Sequence, residues 1–316
     1  MEKLLQRINH FINGPEICIF HQFQKPPYGG GNQFLIALTK ELRARGYDVG
    51  HNMVGRKTTV AMFNSFEFSQ SKLKRWRKKY GARMMQRLAG PIGVYRGEET
   101  TIDKDLWALN AEYADATIFI SDYSYKKYLE LGLVFKEPHI ILNASDPSIF
   151  HCEGRIAPPD DTRRVKLIAT AWSNNPRKGG PFLTWLDEHL DHSKYELTFV
   201  GRTNAEFKGA KVIAPVPSEE LADILRQHDI YIAPSQDDPC SNALAEALTC
   251  GLPALFLRSG GHPELVKEGG EGFTTNEEAL VALDKIAGDY QGYQNKISNP
   301  TLSETVSEYI KAFKLK

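Results

Sequence analysis

The feature that most constrains this chain is a rhythm: short apolar runs at residues 17–20, 59–63, 116–120 and 139–142 alternate with stretches whose apolar side chains recur at helical spacing. A run that is apolar on both faces of an extended chain belongs in a parallel sheet covered on both sides, and parallel neighbours need crossover helices between them. Phe34, Leu35, Leu38 and Leu42 mark the first crossover, which Gly46 ends. Around 151–163 the pattern breaks at Gly154, Pro158, Pro159, Asp160 and Asp161, the composition of a linker. A second series follows at 166–169, 197–200, 211–214, 230–233 and 254–257. With 316 residues, 41% of them hydrophobic, the chain can fill two cores. The predicted class is therefore α/β: two Rossmann-like, doubly wound parallel-sheet domains, 1–150 and 151–302, facing a cleft, with a last helix within 303–316 crossing back onto the first. Ser218 is expected to cap a helix with Glu219 and Glu220 in its first turn, and Leu4, Leu5, Ile8, Phe11 and Ile12 to line a short amphipathic helix at the start.

Lysine plus arginine and aspartate plus glutamate number 39 each, so no overall field favours nucleic acid, and any anion site has to be local. Cysteines 18, 152, 240 and 250 form no CxxC pair, and the nine histidines show no metal-ligand spacing, so neither a disulfide framework nor a metal is expected. Nothing has the continuous apolar core of a signal peptide or the length of a spanning helix, and a cytoplasmic protein is expected. One basic cluster stands out: Lys72, Lys74, Arg75, Arg77, Lys78 and Lys79, interleaved with Leu73 and Trp76. It reads either as a solvated helix face or as a patch for anionic lipid heads or a phosphorylated acceptor, the lipid reading placing the protein peripherally at the inner face of a membrane.

In open parallel sheets, ligands bind beyond the carboxyl ends of strands, where helix N-termini favour anions. Four loops have this position. Tyr28-Gly29-Gly30-Gly31-Asn32 would let backbone approach a phosphate or sugar closely, although it lacks the G-x-G-x-x-G spacing of a dinucleotide site. In Asn174-Asn175-Pro176-Arg177-Lys178-Gly179-Gly180 a lysine beside glycines could neutralise a diphosphate. The stretch 233–248 carries Asp238 at its mouth, then Ser241, Asn242 and Ala243, and Glu246 on the following helix, turned away from the apolar Leu244 and Leu248. A carboxylate there could accept two ribose hydroxyls. In Ser259-Gly260-Gly261-His262-Pro263-Glu264 the glycines permit backbone contact with a ligand, and Glu264 could accept sugar hydroxyls.

Taken in order, these residues resemble family 4 of the retaining glycosyltransferases, whose fold is GT-B, and the likeness spans nearly the whole chain. Asp238 and Glu246 have the spacing of the family's E-(seven residues)-E signature, and Ala247-Leu248-Thr249-Cys250-Gly251-Leu252-Pro253 continues it. Lys178-Gly179 is similar to its phosphate-binding lysine, Gly260 to Glu264 to its next loop, and Asn143-Ala144-Ser145-Asp146 to its N-G-V-D segment. The resemblance implies a nucleoside-diphosphate sugar held by the second domain, with Glu246 on the ribose, Lys178 on the diphosphate, and Asp238 and Glu264 near the transferred sugar. It also implies Gly30 and Gly31 between diphosphate and acceptor, a glycan or lipid-linked acceptor arriving from the first domain, and no metal or other cofactor. Asp238 and Lys178 would carry the chemistry, with no protein nucleophile. Three departures accompany the likeness: Asp238 replaces the usual glutamate, Trp172 stands where many relatives place an arginine, and Gln86-Arg87 replaces His-Arg. Arg177 or Arg202 is then the substitute for the lost cation. The departures leave a second reading open, a non-catalytic nucleotide-sugar-binding protein of the same fold.

Overall fold

The computed structural model describes residues 13–25, 29–64 and 68–315, the side chain of Lys78 apart; the opening apolar stretch through Ile12 and Tyr28 of the glycine loop lie outside them. The first unit runs β1 (Ile17–Phe20), α1 (Gly30–Ala44), β2 (Val49–His51), β3 (Val60–Asn64), α2 (Gln70–Lys79), β4 (Arg83–Leu88), α3 (Ile92–Arg96), α4 (Ile102–Tyr113), β5 (Ala116–Phe119), α5 (Asp122–Glu130) and β6 (Pro138–Ile140). All neighbours pair in parallel, in the order β2-β1-β3-β4-β5-β6. Alternation along each strand assigns the two faces: Ile17 and Ile19 of β1 join the core under α1, while Cys18 and Phe20 join Leu73 of α2 and Leu109 of α4 on the other side.

The second unit runs β7 (Val165–Ala171), a 3-10 turn (Pro176–Lys178), α6 (Gly180–His189), β8 (Tyr195–Gly201), β9 (Lys211–Ile213), α7 (Ser218–Arg226), β10 (Ile230–Ala233), α8 (Asn242–Thr249), β11 (Ala254–Leu257), α9 (His262–Val266), β12 (Gly270–Phe273), α10 (Asn276–Gly288) and α11 (Tyr290–Asn295). Its six strands are also parallel, ordered β12-β11-β10-β7-β8-β9. Tyr231 and Ala233 of β10 pack against the α8 side, and Ile230 and Ile232 against α6 and α10. These are the two doubly wound sheets that the apolar rhythm predicts.

The last helix, α12 (Leu302–Phe313), leaves the second unit and lies on α1, where Leu302, Val306, Tyr309 and Phe313 are part of the first unit's core. A capping box, in which Thr301 and Glu304 satisfy each other's backbone N–H groups, starts it. Arg45 of the α1 C-cap donates to Ser303 and Ser307.

Three strands carry no apolar signal of the expected kind. β4 contains Arg83, Gln86 and Arg87, β2 is three residues long, and β12 reads Gly-Glu-Gly-Phe; pairing with stronger neighbours, not their own composition, makes them strands. Ser218 corrects an expectation: Pro217 occupies the N-cap and Ser218 is the first helical residue, so no side chain caps α7.

Candidate active site

The carboxyl ends of both sheets open onto one cavity of about 480 Å³. His21 follows β1, and Asn64 and Arg87 lie at the carboxyl ends of β3 and β4 on one wall, while Thr170, Gly201 and Ala233 lie at those of β7, β8 and β10 on the other. Of the expected loops, the glycine loop, the lysine loop and the 233–248 stretch all line it.

At the seam two helix starts meet. A Cβ on Gly30, in the first turn of α1, would lie 2.4 Å from the Asn242 amide nitrogen in the first turn of α8, so only glycine permits the approach. Asn143 donates to the Asn242 side-chain oxygen at 3.1 Å, and Ser241, the N-cap of α8, accepts from the Leu244 N–H. Two positive helix ends, with the unpaired N–H groups that every helix start leaves, therefore converge on one edge of the cavity. Gly31 and Ala243 also border it.

Behind this seam, Lys178 reaches the loop after β10 and its ammonium contacts the Asp238 carboxylate at 2.8 Å. Burial works against the charge on both, yet each raises the other's ionisation: Lys178 titrates above its ordinary value through Asp238, and Asp238 below its own through Lys178, helped by His262. The neighbouring pair differs in direction. Arg177 binds Asp237 at 2.6 Å, Asp237 in turn accepts from the Tyr123 hydroxyl at 2.7 Å, and this chain ties the second domain to α5 outside the cavity lining.

Glu246 is the exception on this wall. It borders the cavity from α8, half-buried, and makes no hydrogen bond or ion pair with any described residue. Burial alone pushes its carboxyl up to about 8. A half-buried carboxyl to which no described residue donates can accept a ligand's hydroxyls.

Three expected residues have other surroundings. The Gly261 N–H donates to the Asp238 carbonyl at 2.9 Å, and a Cβ on Gly261 would meet the Pro239 carbonyl at 2.3 Å, so its smallness joins two loops outside the cavity. Glu264 accepts from the backbone N–H groups of Asp122 and Tyr123 at 2.8 and 2.7 Å, a carboxylate on the start of α5 in the other domain. Arg202 is exposed and its guanidinium lies 5.0 Å from the ring centre of Trp172, which does line the cavity. Gln86 turns away from the cleft, its amide donating to the Leu106 carbonyl. Next to it, Arg87 faces the cavity with Asn64 and Tyr95, a set that loop reading from the sequence does not find, because Arg87 and Asn64 sit inside strands.

Two facing Rossmann-like domains with a cleft at their carboxyl ends define the GT-B class. Residues 179–287 match the family described as "Glycosyl transferases group 1", so the second domain is a domain of that family. Among solved structures, that of Anabaena Alr3699/HepE in complex with UDP and glucose is 14% identical, with a TM-score of 0.69 over 95% of this chain and 99% of that one. A probable sucrose-phosphate synthase of Thermosipho melanesiensis is 24% identical over 212 residues, 59% of this chain and 48% of that protein. A D-inositol 3-phosphate glycosyltransferase of Streptomyces scabiei is 32% identical over 76 residues, 24% of this chain and 17% of that protein. The chain thus spans at most about half the length of these two curated relatives. No helix among the described residues is long and apolar enough to cross a membrane.

Proposed function

We propose that the chain is a glycosyltransferase moving a sugar from a nucleoside-diphosphate sugar to a glycan, lipid-linked or other glycoconjugate acceptor, with retention and without a metal ion or other cofactor. The observation that carries this reading is Glu246: a cavity-facing carboxyl without a partner among the described residues, eight residues beyond Asp238 and one helix turn from the converging helix starts. In this reading Glu246 accepts the ribose hydroxyls, and Gly30, Gly31, Ser241, Asn242 and Ala243 frame the diphosphate. Lys178 exchanges Asp238 for the departing phosphate, leaving Asp238 to a hydroxyl of the transferred sugar. Negative charge grows on the leaving diphosphate as its bond to the anomeric carbon breaks, and fixed N–H groups with an ammonium oppose that charge without reorganising. Arg202, carried by Trp172, is the candidate second cation, since Arg177 is engaged with Asp237. The acceptor hydroxyl attacks from the leaving-group face, its proton passing to the departing diphosphate oxygen, which requires no protein nucleophile. A donor of this class also fits the Anabaena structure, which holds UDP and glucose.

A thermal-shift panel of UDP, GDP, ADP, dTDP and NAD on wild type and Glu246→Ala tests it. One nucleoside diphosphate should stabilise the wild type, and the variant should bind it roughly 10- to 150-fold more weakly, the loss of one charge-assisted hydrogen bond. Stabilisation by NAD alone, or equal affinity in the variant, sinks the reading, and turnover with the identified base separates the enzyme from a binding protein.

The basic helix gives the protein a peripheral contact with anionic lipid at the inner face of a membrane. Lys72, Lys74, Arg75 and Lys79 of α2 are exposed, whereas Leu73 and Trp76 face the core and Arg77 is held by Asp115, so the contact is one of charge and not of insertion. Co-sedimentation with phosphatidylglycerol vesicles should fall when Lys72, Lys74 and Lys79 become glutamine, and a wild type that never sediments removes the idea.

A further inference from the structure

Arg87 is 3% exposed, yet it borders the cavity. Its Nε donates to the Tyr309 hydroxyl at 3.0 Å, and its two terminal nitrogens to Asn64 Oδ1 at 2.8 Å and Asn143 Oδ1 at 2.7 Å. The guanidinium lies 4.9 Å from the ring centre of Phe34. No described carboxylate pairs with it. A buried charge surrounded only by dipoles and a ring is costly, and a guanidinium has five N–H donors, of which three are engaged here. Asn64 lines the cavity, and because Arg87 takes its side-chain oxygen, the amide nitrogen is the end left for something else. The described first-domain residues lining the cavity include two arginines, Arg87 and Arg96, and no acidic residue, while both carboxylates, Asp238 and Glu246, stand on the opposite wall.

We propose that Arg87 and the Asn64 amide form an oxyanion subsite on the first-domain wall that receives a phosphate or carboxylate carried by the acceptor. The assignment to an acceptor rests on the glycosyl-transfer reading of the cleft. A donor diphosphate already has the two helix starts and Lys178; the first-domain wall is where the other substrate would lie. The arrangement would select an acidic sugar or a phosphorylated headgroup over its neutral counterpart, since a planar guanidinium with a neighbouring amide matches an oxyanion and leaves a buried charge uncompensated when the anion is missing.

The test saturates the protein with the nucleoside diphosphate found by the thermal-shift panel, then titrates inorganic phosphate, glucose 6-phosphate and glucose. Wild type should bind the first two and not glucose. Asn64→Asp places a carboxylate against Arg87 without emptying the wall; it should hold or raise the melting temperature, abolish binding of both phosphates, and leave nucleoside-diphosphate affinity within about twofold. Arg87→Lys, which keeps the charge but loses the fork, should weaken glucose 6-phosphate roughly tenfold or more. Loss of nucleoside-diphosphate affinity in both variants would give Arg87 to the donor and overturn the proposal, as would phosphate binding unchanged in Asn64→Asp or absent from the wild type. A wild type that binds no nucleoside diphosphate defeats the transfer reading instead, and the phosphate titration without it still reports on Arg87.

Discussion

The two walls of the cleft keep charge out of water by opposite means. On the second-domain wall Lys178 and Asp238 neutralise each other before any ligand arrives, and the adjacent Arg177 and Asp237 do the same one residue away. On the first-domain wall Arg87 has only neutral oxygens and a ring around it. A paired wall must break a contact to bind, so its ligand competes with an internal partner; an unpaired wall gains compensation when an anion enters. Glu246 shows the same contrast inside one wall: Asp238 titrates low because Lys178 outweighs its burial, Glu246 high because burial acts on it unopposed.

The largest break in this comparison comes from Lys178→Ala. It strips the leaving group's cation and leaves Asp238 without its partner, so the transfer rate should fall roughly 10²- to 10³-fold with a lower melting temperature. Steady-state turnover on the identified donor measures it, and a rate near wild type would mean that Lys178 serves only Asp238.

The next effect is a pH dependence of two signs. In the empty cleft the Glu246 carboxyl keeps its proton until about pH 8, whereas a ribose diol is best accepted by the ionised form. Nucleoside-diphosphate affinity should therefore rise from pH 6 to 8, by at most roughly tenfold per unit, and level off above. Stability of the empty protein runs the other way. The folded value lies above the ordinary 4.5, so this group's contribution is complete below that value and is lost as pH climbs through about 8. Glu246→Gln should flatten both trends, and the difference from wild type in isothermal titration removes the phosphate's own titration from the result.

Arg177→Ala should have the smallest effect. It releases Asp237 and Tyr123, contacts that lie outside the cavity, so nucleoside-diphosphate affinity should stay within about twofold while the melting temperature drops slightly, as loss of a partly exposed ion pair does. A large loss of affinity would reverse the roles of the two neighbouring cations.

Much of this was legible in the chain before folding. The apolar runs of β1 and β10 and the spacing from Asp238 to Glu246 place two sheets and the strand-to-helix loop that lines the cavity. What could not be read depends on direction. Arg177 and Lys178 are consecutive in a 3-10 turn, and only the turn's geometry sends one to the cavity and the other to α5. Glycines 260 and 261 look like a ligand loop, yet their lack of side chains admits the Asp238 and Pro239 backbone. Arg87 shows in the sequence only as the arginine of the Gln86-Arg87 pair, with nothing to say what surrounds it; its environment is assembled from β3, the segment after β6 and α12, up to 222 positions away from it.

The return of α12 has a mechanical consequence. Because the chain passes out to the second domain between Ala144 and Phe150 and comes back near residue 301, two covalent crossings span the junction, and a body held at two points can swing about the line between them but cannot swivel freely. Opening of the cleft is thereby confined toward a single rotation, like a door on a pair of pins, and each swing would pull on Tyr309, the helix residue that holds Arg87.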